Sequence, residues 1–149
     1  MSLDDLYKEV ILDHYKNPRN KRELPEAELS CSRNNPLCGD EITVYAHVAD
    51  GAVADVAFMG QGCSISQSSA SMLTQAVKGK PVPEALHLAA DFRGMMAGEV
   101  DPSEDEFGDL VALKGVGEYP IRIKCAVLAW DVLQEALAGA GEATASAAH

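Results

Sequence analysis

Apolar positions at Leu3, Leu6, Tyr7, Val10 and Ile11 recur with a helical period, and His14 falls on the same face. This predicts an opening helix that Ser2 caps, with Asp5 three residues on, and that Pro18 ends. Residues 17–28 are rich in Pro, Asn, Arg, Lys and Glu and read as a solvated connection. The period then shortens to two: Ile42 to Val48 and Val53 to Met59 alternate, with the turn signal Asp50-Gly51 between them. These two stretches predict a hairpin, beside which a shorter strand from Leu29 to Arg33 can pair.

After Cys63 the pattern becomes helical again, through Ile65, Ser69, Met72, Leu73, Ala76 and Val77, until Gly79 ends it. Pro81 and Pro83 open a further helix that carries Leu86, Leu88, Ala89 and Phe92. Residues 93–117 mix Met, Gly and acidic side chains and read as a partly helical excursion. The last helix begins after Pro120 and runs through Cys125, Leu128, Val132 and Leu133 to about Leu137. Beyond Gly139 no large apolar residue can offset the entropy of ordering, so residues 139–149 are expected to fray as a tail on a single domain over 1–138. There is no internal repeat and no phosphate-binding glycine loop.

Composition narrows the function classes. The chain has 149 residues with 47% hydrophobic and 23% charged content, which are globular values, and no run reaches the roughly 20 apolar residues of a membrane span. A net charge of -11 opposes binding to nucleic acid, and it reads either as matching a protein partner with a basic face or as only keeping the protein soluble. The N-terminal Met-Ser-Leu-Asp-Asp lacks the basic and apolar segments of a secretory signal, so a cytoplasmic location is expected. There the four cysteines stay reduced, which favours metal binding or thiol chemistry over disulfides.

Three of those cysteines stand at the ends of predicted elements: Cys38 in the loop entering the second strand, Cys63 at a helix start, and Cys125 in the first turns of the last helix. With Asp40 they form a set of three sulfurs and one carboxylate, which suits a tetrahedral site for a soft divalent ion such as zinc. Gly39 allows a tight turn between two of the ligands, and Gly60 and Gly62 allow close backbone approach. The helix start at Cys63 favours its thiolate. Taken singly, each cysteine also reads as a small packing residue and Asp40 as a turn residue. No Cys-x-x-Cys pair marks a zinc ribbon. Cys31, inside a strand, reads as packing, and His14 reads as a hydrogen-bonded core residue rather than a ligand.

The motifs Leu6-Tyr7, Asp13-His14-Tyr15-Lys16-Asn17-Pro18-Arg19-Asn20, Asn35-Pro36-Leu37-Cys38-Gly39-Asp40 and Gly62-Cys63-Ser64-Ile65-Ser66 together resemble the IscU/NifU N-terminal family of iron-sulfur cluster assembly proteins. The resemblance covers about Leu6 to Leu137. It implies an α+β fold in which helices pack on a small three-stranded antiparallel sheet, with zinc held by Cys38, Asp40, Cys63 and Cys125. IscU-branch scaffolds carry a histidine directly before the third cysteine and a Leu-Pro-Pro-Val-Lys motif upstream. Here Lys124 precedes Cys125, that motif is missing, and residues 93–117 look like the insertion of the SufU branch. The resemblance therefore implies a zinc-dependent sulfurtransferase: a SufS-type pyridoxal-phosphate cysteine desulfurase passes persulfide sulfur to Cys38, which delivers it to downstream iron-sulfur assembly proteins. Cys38 is the expected mobile acceptor, because Pro36 and Gly39 flank it in a loop while Cys63 and Cys125 are tied to helices. The alternatives are a scaffold on which the same residues hold a transient iron-sulfur cluster, and a purely structural zinc module.

Overall fold

A computed structural model describes residues 3–25, 27–35, 39–100 and 107–147. The expected caps at Ser2 and Asp5 and the loop residues Pro36, Leu37 and Cys38 therefore lie wholly or in their side chains outside the described part. Helix α1 (Leu3–Lys16) is followed by strands β1 (Leu29–Asn35), β2 (Asp40–Ala49) and β3 (Ala52–Gln61). Helices α2 (Ser64–Val77) and α3 (Val82–Met96), a 3-10 segment (Gly108–Glu118) and helix α4 (Pro120–Ala147) complete the chain. The strands form one antiparallel sheet in the order β1-β2-β3, with the helices packed on it, so the α+β architecture read from the sequence is the one found.

Register places the site. The β2–β3 turn is made by Asp50 and Gly51, whose φ angles of 55° and 77° are the left-handed pair that a two-residue hairpin of this twist requires. From it the pairing runs back to Ile42 opposite Gly60 and Glu41 opposite Gln61, with a bulge between His47 and Val48. Because side chains alternate across a strand, Ile42, Val44 and Ala46 enter the core, and Asp40, two positions earlier, enters with them. Strand pairing therefore carries a carboxylate inward at the sheet's end.

The core lies between the sheet and α2, α3 and α4. Trp130 of α4 stacks on Phe92 of α3 with ring centroids 4.9 Å apart, a contact of a kind that adds about 1 kcal/mol beyond burial. The 93–117 stretch contributes more to this core than its irregular sequence suggests: Phe107, Leu110, Leu113 and Val116 are all buried. Its apolar residues do not follow a 3.6-residue period, because 3-10 turns repeat every three residues and hide the pattern from an α-helical reading.

His14 is fully buried, with Nδ1 2.8 Å from Ser71 Oγ and Nε2 2.9 Å from Asp109 Oδ2, so it fastens α1 to α2 and to the 3-10 segment as a packing residue. At the other end, α4 runs on to Ala147, ten residues past the expected end near Leu137 and through most of the segment expected to fray. Residues 138–147 hold five alanines, the best helix former, and this local propensity extends the backbone helix without any large apolar side chain. No helix among the described residues is long and apolar enough to cross a membrane.

Candidate metal and thiol centre

Three of the four predicted ligands meet. A carboxylate oxygen of Asp40 and the Sγ atoms of Cys63 and Cys125 all lie within 4.8 Å of one another, brought together from β2, the start of α2 and the first turns of α4. The fourth, Cys38, lies outside the described residues, two positions before Asp40 in the chain.

Asp40 is 1% exposed, and its Oδ1 accepts the backbone N–H of Cys63 at 2.8 Å. A buried carboxylate needs such donors, since desolvation otherwise costs it several kcal/mol. The approach is possible only because residue 62 is glycine. Gly62 has φ 151°, and a Cβ there would stand 2.2 Å from Asp40 Oδ1. Gly60 is similarly restricted, with φ 153° and a hypothetical Cβ 2.1 Å from the Glu41 carbonyl oxygen. Both glycines are positional, as the sequence suggested.

Cys63 is the N-cap of α2, with φ -69° and ψ 164°, and its Sγ accepts the Ser66 N–H at 3.5 Å. The Ser66 hydroxyl donates to the Cys63 carbonyl at 3.1 Å, which closes the cap. The Cys63 and Asp40 side chains are themselves 3.7 Å apart, Sγ to Oδ2. Cys125 is fully buried on the inner face of α4, its Sγ 3.8 Å from the Ile121 carbonyl oxygen.

Two thiols and a carboxylate converging from distant elements are the donor types that zinc takes, one short of a closed tetrahedral shell. The residues present fit a zinc ion, with three of its four donors supplied by the described residues.

Cys31 is not part of the cluster. Its Sγ donates to Glu135 Oε2 at 2.8 Å, and the same carboxylate pairs with Arg33. This partner comes from α4, 104 positions along the chain, and is invisible in the local sequence. Two further features escape sequence reasoning. Ser69 bridges α2 to α4 beside Cys125, and a groove of about 650 Å³ opens next to Cys63 between α1, α2 and the 3-10 segment. Both depend on how helices cross, for which no local motif exists.

The family model for the NifU-like N terminal domain matches residues 6–145. The "Zinc-dependent sulfurtransferase SufU" of Bacillus subtilis (strain 168) is 47% identical over 137 residues, 92% of each chain. The "Iron-sulfur cluster assembly scaffold protein IscU" of Streptococcus pyogenes serotype M1 is 43% identical over 91% of this chain and 84% of its own. Among solved structures, the putative iron-sulfur cluster assembly scaffold protein for the SUF system from Fervidobacterium islandicum AW-1 superposes with a TM-score of 0.82 at 32% identity, covering 91% of this chain and 99% of that one.

Proposed function

The chain belongs to the NifU-like N-terminal domain family, and from that premise we propose that it is a zinc-dependent sulfurtransferase of iron-sulfur cluster assembly, acting in the cytoplasm with a SufS-type cysteine desulfurase. The observation that carries this reading is the convergence of Asp40, Cys63 and Cys125 within 4.8 Å, in a chain similar to a zinc-dependent sulfurtransferase over 92% of its length. Cys38, Asp40, Cys63 and Cys125 would hold the zinc, which when bound supplies a positive charge that keeps cysteine sulfur in the thiolate form.

In this reading Cys38 is the acceptor. Its thiolate attacks the outer sulfur of the desulfurase's cysteine persulfide; the donor's S–S bond breaks as the new one forms, and the electron pair leaves on the desulfurase cysteine as thiolate. Cys38 then carries the persulfide, and no net oxidation or reduction occurs. Asp40, held by the Cys63 amide, and Cys63, held by α2, stay in place during the exchange. Gly39, with φ 67°, supplies a turn directly after Cys38 that residues with a Cβ rarely adopt.

A second reading keeps the same four residues as a scaffold for a transient iron-sulfur cluster, and the 43% identity to a protein named as such a scaffold favours it. One experiment separates the two. Freshly purified protein is analysed for metal, then incubated with desulfurase and cysteine and examined by mass spectrometry. Sulfur relay expects one zinc per chain, faster desulfurase turnover and added sulfur on Cys38, and Cys38→Ala should lose both the acceleration and the added sulfur while keeping its fold. Added sulfur on Cys31 would place the acceptor wrongly, and an iron-sulfur absorption band after anaerobic assembly would favour the scaffold. The reading confines the function to residues 1–138, so removal of 139–149 should leave zinc content and sulfur acceptance unchanged.

A further inference from the structure

The groove beside Cys63 has a use that the metal site does not require. Its walls are apolar, from Tyr7 and Ile11 of α1, Ile65 of α2 and Val116 of the 3-10 segment. The ionic side chains that line it are Lys8 and Arg122, and no carboxylate lines it among the described residues. Among the described residues this is a local inversion of charge in a chain whose net charge is -11. Lys8 and Arg122 are both exposed, and among the described residues neither takes part in an ion pair. Tyr119, at the groove's edge, is 62% exposed, and nearby Ile121 is 68% exposed. Large apolar side chains left in water next to two cations and the Cys63 sulfur make a surface that a partner would complete.

We propose that this groove seats an extended, carboxylate-bearing segment of the sulfur-donating protein, with apolar side chains on the floor and the carboxylate between Lys8 and Arg122. The proposal rests on the sulfur-relay reading and names how the donor is held. Size and chemistry agree with it: about 650 Å³ accommodates a few side chains of a loop, and Cys63 in the lining places that loop at the thiol centre. Charge agrees as well. The acidic exterior steers a partner with a basic face, and an acidic segment within that basic face would find its counter-charge at Lys8 and Arg122, which favours one docking register.

The test uses Lys8, an exposed side chain of α1 that is not a candidate ligand, so its replacement removes neither a core residue nor a metal donor. The probe is the organism's own cysteine desulfurase. Sulfide release from cysteine is measured while wild type, Lys8→Gln and Lys8→Glu are titrated in, at low and at raised sodium chloride. Lys8→Glu should raise the half-saturating concentration about tenfold at low salt, Lys8→Gln should fall between, and salt should narrow the difference by screening. Turnover at saturation, zinc content and melting temperature should match wild type. Equal half-saturation for wild type and Lys8→Glu, or a loss confined to saturating turnover, would overturn the docking assignment. If wild type itself neither accepts sulfur nor accelerates the desulfurase, the sulfur-relay reading falls, and the assignment falls with it.

Discussion

The Ser69 hydroxyl donates to the Ala126 carbonyl oxygen across 2.6 Å, and Ala126 directly follows Cys125. Both residues are completely buried. Ser69 stands six positions after Cys63 on the same α2, so this bond ties the helix that begins at one thiol to the helix that carries the other. A larger side chain at this crossing would push the helices apart, and a hydroxyl both fits and satisfies a carbonyl. Ser69→Ala should therefore lower stability by about 1 kcal/mol, the net worth of one buried hydrogen bond. It should also weaken zinc binding in competition with a chelator, since the separation of Cys63 and Cys125 would no longer be held. A variant that loses stability but competes for zinc like wild type would limit Ser69 to a packing role.

Because the candidate ligands come from β2, α2 and α4, binding a metal there cross-links elements far apart in sequence, and that binding energy becomes folding energy. Stripping zinc from wild type with a strong chelator should lower its melting temperature, corresponding to several kcal/mol. Cys63→Ala and Cys125→Ala should melt near the stripped wild type and respond little to the chelator. Calorimetry with and without chelator measures this, and identical melting of apo and zinc-loaded wild type would count against a metal bridging these elements.

Gly62→Ala should damage the site without touching a ligand. Its Cβ would stand 2.2 Å from Asp40 Oδ1, and its φ of 151° is one that alanine rarely adopts. The expected loss is about 1–3 kcal/mol for the backbone strain alone. Asp40 would be displaced, so zinc per chain should fall as well, measured by metal analysis of the folded fraction. Gly115→Ala, where an added Cβ meets nothing within 4 Å, is the control and should keep its zinc.

Away from the site, Asp55 gives a pH-dependent contribution. Burial pushes its pKa up, but hydrogen bonds from Arg22 and the Val56 amide, with the charges of Arg22 and Lys78, outweigh burial and leave it below its ordinary value of 3.8. A carboxylate with a depressed folded pKa stabilises fully above its unfolded pKa, and that stabilisation is lost as pH falls through the folded pKa. Asp55→Asn should thus be less stable than wild type at neutral pH, and the two should converge in acid below pH 3.8. Urea unfolding at several pH values reads the difference.

The three strands, the four main helices and the identity of Asp40, Cys63 and Cys125 as a set were legible in the sequence, because each depends on local rules. Alternation in Ile42 to Val48 marks a strand, Asp50-Gly51 marks its turn, and the change to a helical pattern after Cys63 marks a helix start. Motif order added the family. The residue type at each of these positions records a backbone constraint that a single element imposes, so it can be read one element at a time.

Only the tertiary structure decided which side chains meet. Asp40 turns inward because the β1–β2–β3 register carries the core face of β2 to its first residue, and a slip of one position would have turned it to solvent. Cys63 and Cys125 approach because α2 and α4 cross at small residues, Ser69 and Ala126 among them. Glu135 reaches Cys31, and Asp109 reaches His14, across 104 and 95 positions of chain. The groove with Lys8 and Arg122 exists because the 3-10 segment buries Leu110, Leu113 and Val116 beside α1. Packing acts between elements, depends on helix crossing and sheet register together, and leaves no periodic mark on any one stretch of sequence.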